Sequence, residues 1–156
     1  MPYANRRNST ADRSFTMTIL DTNVLSELMR PNPSARVVAW IAAQPAQELC
    51  TTSITEAEIF YGIYLLSKGR RQEILRAAAE AIFTEDFAGR VFGFEGDAAR
   101  VFAQMAARRR ALGRPISHAD AQIASIARVR RTKLATRNFA DFEECGVEIV
   151  DPWNGK

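Results

Sequence analysis

The chain has 156 residues, a formal net charge of +3 and 47% hydrophobic residues, which suits one domain with a substantial core. No apolar run approaches the ~20 residues that cross a bilayer, which argues against a membrane protein. Two cysteines, Cys50 and Cys145, are too few for a disulfide scaffold and stand in no CxxC, which points to a reduced, cytoplasmic setting.

Residues 1–16 carry Arg6, Arg7 and Arg13 among polar neighbours and lack the apolar stretch of a secretory signal. They are expected to form a disordered extension ahead of a single domain over 17–154. Residues 17–20 read as a buried strand ending at Asp21, and 24–29 as a short helix stopped by Pro31 and Pro33. Ser34 can cap a second helix with Val37, Val38, Trp40 and Ile41 inward. Residues 48–54 read as a strand, and Thr55 starts a helix holding Ile59, Tyr61, Ile63 and Leu66. The spacing of Ile74, Leu75, Ala78 and Ile82 predicts a helix over 70–83. A strand over 90–94 and a helix over 97–112 follow, broken by Gly113 and Pro115. Ser117 caps a helix whose Ile123, Ile126 and Ala127 face the core. A strand over 132–136, a turn-rich link over 139–146 and a closing strand over 147–150 complete the chain. Five strands separated by helical segments predict a parallel sheet covered on both faces, with any functional crevice outside the strands' carboxyl ends.

Four segments place a carboxylate or amide where a strand gives way to a helix or turn. They contain Asp21 with Thr22 and Asn23, Glu58 after Thr55, Asp120 after Ser117, and Asn138 and Asp141 after Thr136. Acids so placed converge if their strands lie side by side, and a converged cluster repels itself unless a divalent cation joins it. Each segment also has an ordinary structural reading. Thr55-x-x-Glu58 and Ser117-x-x-Asp120 have the form of capping boxes, and Asp21 and Asp141 can serve as turn and loop acids. Capping does not account for the equivalent placement of all of them.

Charge is unevenly spread. Residues 98–137 hold ten basic side chains and a single acid, Asp120. Such a segment can bind a polyanion, or it can be a set of solvated helix faces. The lone histidine, His118, excludes chemistry that needs two, and neither a GxSxG elbow nor a glycine-rich phosphate loop is present.

Residues 20–27 (Leu-Asp-Thr-Asn-Val-Leu-Ser-Glu), 55–62 (Thr-Glu-Ala-Glu-Ile-Phe-Tyr-Gly), 120–124 (Asp-Ala-Gln-Ile-Ala) and 136–142 (Thr-Arg-Asn-Phe-Ala-Asp-Phe) together resemble the PIN-domain ribonuclease toxins. The likeness is to the VapC and FitB branch of type II toxin–antitoxin systems, and it runs from Met17 to Trp153. It implies a three-layer α/β/α sandwich around a parallel sheet of about five strands, and Mg²⁺- or Mn²⁺-dependent cleavage of RNA to 5′-phosphate and 3′-hydroxyl ends. Asp21, Glu58 and Asp120 would be the metal-binding acids. Asn138 or Asp141 would fill the fourth position, Asp141 directly or through water. Thr22, Asn23 and Thr136 would give supporting polar contacts. Arg114 and Arg137, with the arginines around 108–114 and 128–137, would hold the RNA backbone. A VapB- or FitA-like antitoxin and homodimerisation, with contact surface around Trp40 and Tyr61 to Leu66, are further implications. Two other readings compete. A haloacid-dehalogenase-type phosphatase needs an acid where Asn23 stands, and a PIN-like binding module with weak catalysis finds room in the amide of Asn138.

Overall fold

The computed structural model describes residues 16–155. The extension expected over 1–16 therefore lies outside the described residues, except for Thr16. Strand β1 (Thr18–Leu20) is followed by helices α1 (Thr22–Leu28) and α2 (Ala35–Ala42), then β2 (Leu49–Thr52). Helices α3 (Ser53–Tyr64) and α4 (Arg70–Ala81) lead to β3 (Val91–Phe92), then α5 (Gly96–Ala111) and α6 (His118–Arg130). The chain closes with β4 (Lys133–Ala135), a short α7 (Phe139–Phe142) and β5 (Ile149–Val150). All neighbouring strands are parallel, in the order β3-β2-β1-β4-β5.

The strands are short, and almost every residue in the three central ones is buried. Side chains alternate between faces, so each strand feeds two cores. Ile19, Cys50 and Leu134 point to one face, where Met105, Ile123, Ile126 and Phe142 of α5, α6 and α7 cover them. Leu20, Leu49 and Ala135 point to the other, against Val24, Leu25, Val37, Ile59, Ile63 and Phe83 from the α1–α4 side. The three-layer sandwich thus follows from one alternation repeated in three strands. Helix α6 lies against this sheet through Ala121, Ala124 and Ala127 as well as its isoleucines, all buried.

Several local expectations shift. Helix α3 starts earlier, because Thr52 at the end of β2 is its cap and accepts a hydrogen bond from the Thr55 N–H at 3.1 Å. Glu58 consequently sits in the second turn, beyond the reach of a capping box. Ser34 does not cap α2 with its side chain. Its backbone N–H donates instead to Glu27 Oε1 at 2.9 Å, which fixes the proline turn after α1. Val38 and Ile74 are exposed rather than inward, since Val37 and Leu75 already occupy the inner positions. The helix expected to reach Phe83 widens into a π-helical turn over Ile82–Asp86, and the turn-rich link contains α7.

Leu134 is fully buried at the middle of the sheet. Leu134→Ala should lower stability by about 2–5 kcal/mol, seen as a lower urea midpoint with unchanged slope.

Candidate active site

β1 is the strand at which the winding reverses, with β2 on one side and β4 on the other, so the crevice of an open parallel sheet opens at its carboxyl end. Asp21 stands there. Its backbone N–H still donates to Ala135 O, and its side chain caps α1 by accepting from the Thr22 N–H at 2.8 Å. The other carboxylate oxygen accepts from the Thr136 hydroxyl at 2.7 Å and from Asn23 Nδ2 at 3.3 Å. Thr136 Oγ1 in turn accepts from Asn23 Nδ2 and from the Asn138 N–H, each at 3.1 Å. With one donor and two acceptor directions used, this fully buried hydroxyl is saturated. Burial pushes the Asp21 carboxyl up to about 6, the Thr136 and Thr22 bonds opposing and the charges of Asp120 and Glu58 adding to the rise.

Glu58 reaches the same crevice from α3. Its Oε1 accepts from the Thr22 hydroxyl at 2.8 Å, and Thr22 Oγ1 also lies 3.1 Å from the buried Thr55 Oγ1. Thr52, not Thr55, caps the helix, which leaves the Thr55 hydroxyl free for another role. It is a link in a hydroxyl chain from Thr52 to Glu58.

Asp120 occupies the first turn of α6, its N–H donating to Ser117 Oγ at 3.2 Å. Its carboxyl is raised above the ordinary range by burial, against the Ser117 bond, and further by the charges of Asp141 and Glu58. Asp141, exposed on α7, is positioned by Arg109. That guanidinium, 4% exposed, donates to the Asp141 and Glu143 carbonyls at 2.9 and 2.7 Å and, through Nε, to the Arg114 carbonyl at 2.8 Å. The sequence signal was present: Arg109 follows Ala98, Phe102 and Met105 along the inward stripe of α5.

The structure therefore brings Asp21, Glu58, Asp120 and Asp141 within electrostatic range as a connected set. Asn138 enters through its backbone N–H, its residue being the cap of α7. Several expected phosphate-binding arginines are engaged elsewhere. Arg109 is buried, Arg114 pairs with Glu143 at 3.2 Å, and Arg130 lies 3.6 Å over the Phe92 ring. Arg137 lies 4.2 Å over the Trp153 ring, its N–H donating to Asn23 Oδ1.

The donor set is all oxygen, which suits a hard divalent cation. Among the described residues no three His, Cys, Asp or Glu side chains stand at direct metal-ligating spacing. A small cation that keeps several waters and takes one or two carboxylates directly fits this looser arrangement.

Residues 18–146 match the family described as PIN domain. The chain is 40% identical over 137 residues to the plasmid stability protein StbB of Pseudomonas syringae pv. tomato, across 88% of its own length and 99% of the relative. It is 38% identical to the VapC ribonuclease Y4jK of Sinorhizobium fredii, covering 88% and 98%, and 35% identical to Toxin FitB of Neisseria gonorrhoeae, covering 88% and 99%. The fold superposes on FitAcB from Neisseria gonorrhoeae with a TM-score of 0.82 at 35% identity, covering 88% of this chain and 99% of that one. DNA-bound VapBC from Salmonella typhimurium gives 0.75 at 26% identity, covering 88% and 98%.

Asp21 carries a folded pKa near 6 against an ordinary value of 3.8, so its contribution to stability is lost as pH rises through that window. Without divalent cation, Asp21→Asn should escape that loss. It should exceed the unsubstituted protein in stability above pH ~6, by at most on the order of 3 kcal/mol, and converge with it below pH ~4. Thermal unfolding across pH, with and without Mg²⁺ or Mn²⁺, reads this, and added cation should stabilise only the protein with Asp21.

Proposed function

The chain belongs to the PIN-domain family, and from that membership we propose that it is a metal-dependent endoribonuclease, the toxin of a type II toxin–antitoxin pair acting in the bacterial cytoplasm. The observation that carries this reading is the convergence of carboxylates from separate elements at the switch point of the sheet, Asp21 and Glu58 joined through Thr22 and Asp120 and Asp141 close enough for their charges to act on the cluster. Capping and turn roles require no such convergence.

Asp21, Glu58 and Asp120 would hold Mg²⁺ or Mn²⁺ between them, one or two directly and the rest through water, with Asp141 or the Asn138 amide completing the set. Bound there, the cation supplies Lewis-acid polarisation of the scissile phosphate and a water of lowered pKa. The protein's own part is orientation. Thr136 and Asn23 hold the Asp21 carboxylate, and Thr22 holds Glu58, so these oxygens keep their direction when substrate displaces water. Ser117 and Arg109 do the same for α6 and α7. Arg137 stands at the crevice as a backbone-phosphate contact. In-line attack by water needs no 2′-hydroxyl nucleophile and leaves 5′-phosphate and 3′-hydroxyl ends.

Beside Glu58 a cleft of about 870 Å³ runs between α1, α3 and α4. Met29, Ile59, Ile63 and Leu75 line it, and Arg30, Arg70 and Arg71 stand among its lining residues. This suits the tail of a VapB- or FitA-like antitoxin, which would cover the crevice and silence the toxin. Tyr61 and Tyr64 on α3, and Leu65 just after it, stay exposed and offer apolar surface for a second copy of the chain.

Purified protein incubated with total RNA should make discrete cuts with Mg²⁺ or Mn²⁺ and none with EDTA. Asp120→Asn should lower the rate by at least about a hundredfold, the scale on which loss of a charge-stabilising group acts. Sequencing of the fragment ends should find 5′-phosphates. Cyclic 2′,3′-phosphate ends would refute the hydrolytic route, and metal binding without cleavage would favour an inactive binding module.

A further inference from the structure

The chain after β5 folds into a tight turn built on Asp151. The Asp151 carboxylate accepts from the Trp153 N–H at 2.9 Å and from Asn154 Nδ2 at 2.6 Å, and its carbonyl accepts from the Gly155 N–H at 2.8 Å. Because β5 pairs with β4, with the Thr136 N–H donating to Val150 O, this turn is set beside the segment that carries Thr136, Arg137 and Asn138. Trp153 lies under the Arg137 guanidinium at 4.2 Å, packs by its other atoms against the core on the α1–α4 side, and receives Arg36 Nη1 on its carbonyl at 3.3 Å.

Two features argue that the indole is present for its ring face. Its N–H is buried without a partner among the described residues, a defect that costs about 1–3 kcal/mol and that a phenyl or leucyl side chain would avoid. Indole is also the strongest cation–π acceptor among side chains, which compensates when a guanidinium covers it. Arg137, for its part, takes no share in the ion pairs found among the described residues. Arg137 also acts on Glu27, whose carboxyl is held below its ordinary range first by the Ser34 N–H, then by Arg30, and last by Arg137. Its backbone is tied to Asn23, which itself contacts Asp21. The side chain is thus held by the ring beneath it and the backbone by the site's own hydrogen-bond network, while the guanidinium enters none of the ion pairs found among the described residues.

We propose that Trp153 is a positioning residue that holds Arg137 against the carboxyl ends of β1 and β4 as a fixed phosphate contact for RNA, a role that rests on the ribonuclease reading. A long side chain held in place loses less entropy on binding phosphate than a free one. Removing the ring therefore weakens substrate capture without touching the acids.

The experiment is steady-state cleavage of one oligoribonucleotide by the full chain and by Trp153→Leu, Trp153→Phe, Arg137→Ala and the Trp153→Leu/Arg137→Ala pair. Trp153→Leu should raise KM about three- to fivefold with kcat unchanged, the scale of an exposed-to-partly-buried cation–π contact. Trp153→Phe should recover part of the loss, and Trp153→Leu should have no effect when Arg137 is already alanine. Arg137→Ala should also flatten the salt dependence of RNA binding by about one unit of slope. A Trp153→Leu effect of equal size in both backgrounds, or one on kcat alone that tracks a fall in Tm, would overturn the positioning role. A second readout needs no RNA: with Trp40→Phe present, Arg137→Ala should shift the emission of Trp153, and an unchanged spectrum counts against the stack. If the unsubstituted protein neither cuts nor binds RNA, the ribonuclease reading fails and takes the phosphate role with it, while the emission shift still decides the stack.

Discussion

The arrangement depends on a carboxylate kept almost dry at the end of the central strand. Asp21 is 3% exposed, and an acid in that position is costly unless its oxygens are satisfied. Both are. One accepts from the first turn of α1, the other from Thr136 at the end of the neighbouring strand. The bonds lower the carboxyl's pKa without cancelling the effect of burial, so it remains near 6. A group this close to neutrality is poised between two ways of being satisfied, a proton or a cation. The charges of Asp120 and Glu58 act in the same direction as burial.

From that point the fold can be read outward. Thr136 reaches Asp21 only because β4 pairs in register with β1, Leu20 opposite Ala135, so that the next residue of each strand meets across the gap. Glu58 reaches the crevice because β2 ends at Thr52, whose hydroxyl starts α3 and sets its rotation. Asp120 and Asp141 follow from α6 and α7 being held to the sheet by apolar packing through Ile123, Ile126 and Phe142. Cap, strand end and active-site orientation are the same atoms. Asp21 caps α1 and Asp120 lies in the turn that Ser117 caps, so the local structural role of each residue also sets its direction in the crevice.

The sequence made the element order and the parallel sheet legible, because the strands are buried on both faces and the helices between them are amphipathic. It placed Asp21 correctly at a strand–helix junction, and Asp120 correctly in a first helical turn, although α6 follows a helix rather than a strand. It misjudged Glu58 by one turn, since Thr52 and Thr55 are equally good caps and only the length of β2 decides between them. Ile74 and Val38 misled for a similar reason: a helix covering a small sheet needs a narrow apolar stripe, and neighbours of that stripe can be apolar without being buried. α7 escaped notice because four residues carry no measurable period. The contribution of the Asn138 N–H, as distinct from its amide, has no counterpart in composition or spacing at all.

Charge is where local sequence is least informative. The segment over 98–137 is basic enough to suggest a continuous phosphate track, yet its members have separate duties. Arg109 ties α5 to the chain around α7 through three carbonyls, Arg114 neutralises Glu143, and Arg130 covers Phe92. What a polyanion meets is the remainder, and its effective density is set by which guanidiniums are already committed to the fold. Arg137, like Arg130, is committed to a ring rather than to an acceptor, and differs from Arg130 in standing beside Asn23 and Asp21. A ring leaves the donors and the charge available, so the side chain can be ordered by the protein and still be used by a ligand. That distinction between an arginine spent on carbonyl or carboxylate oxygens and one merely held in place cannot be drawn from a count of basic residues. It decides how much of this basic segment can act on RNA.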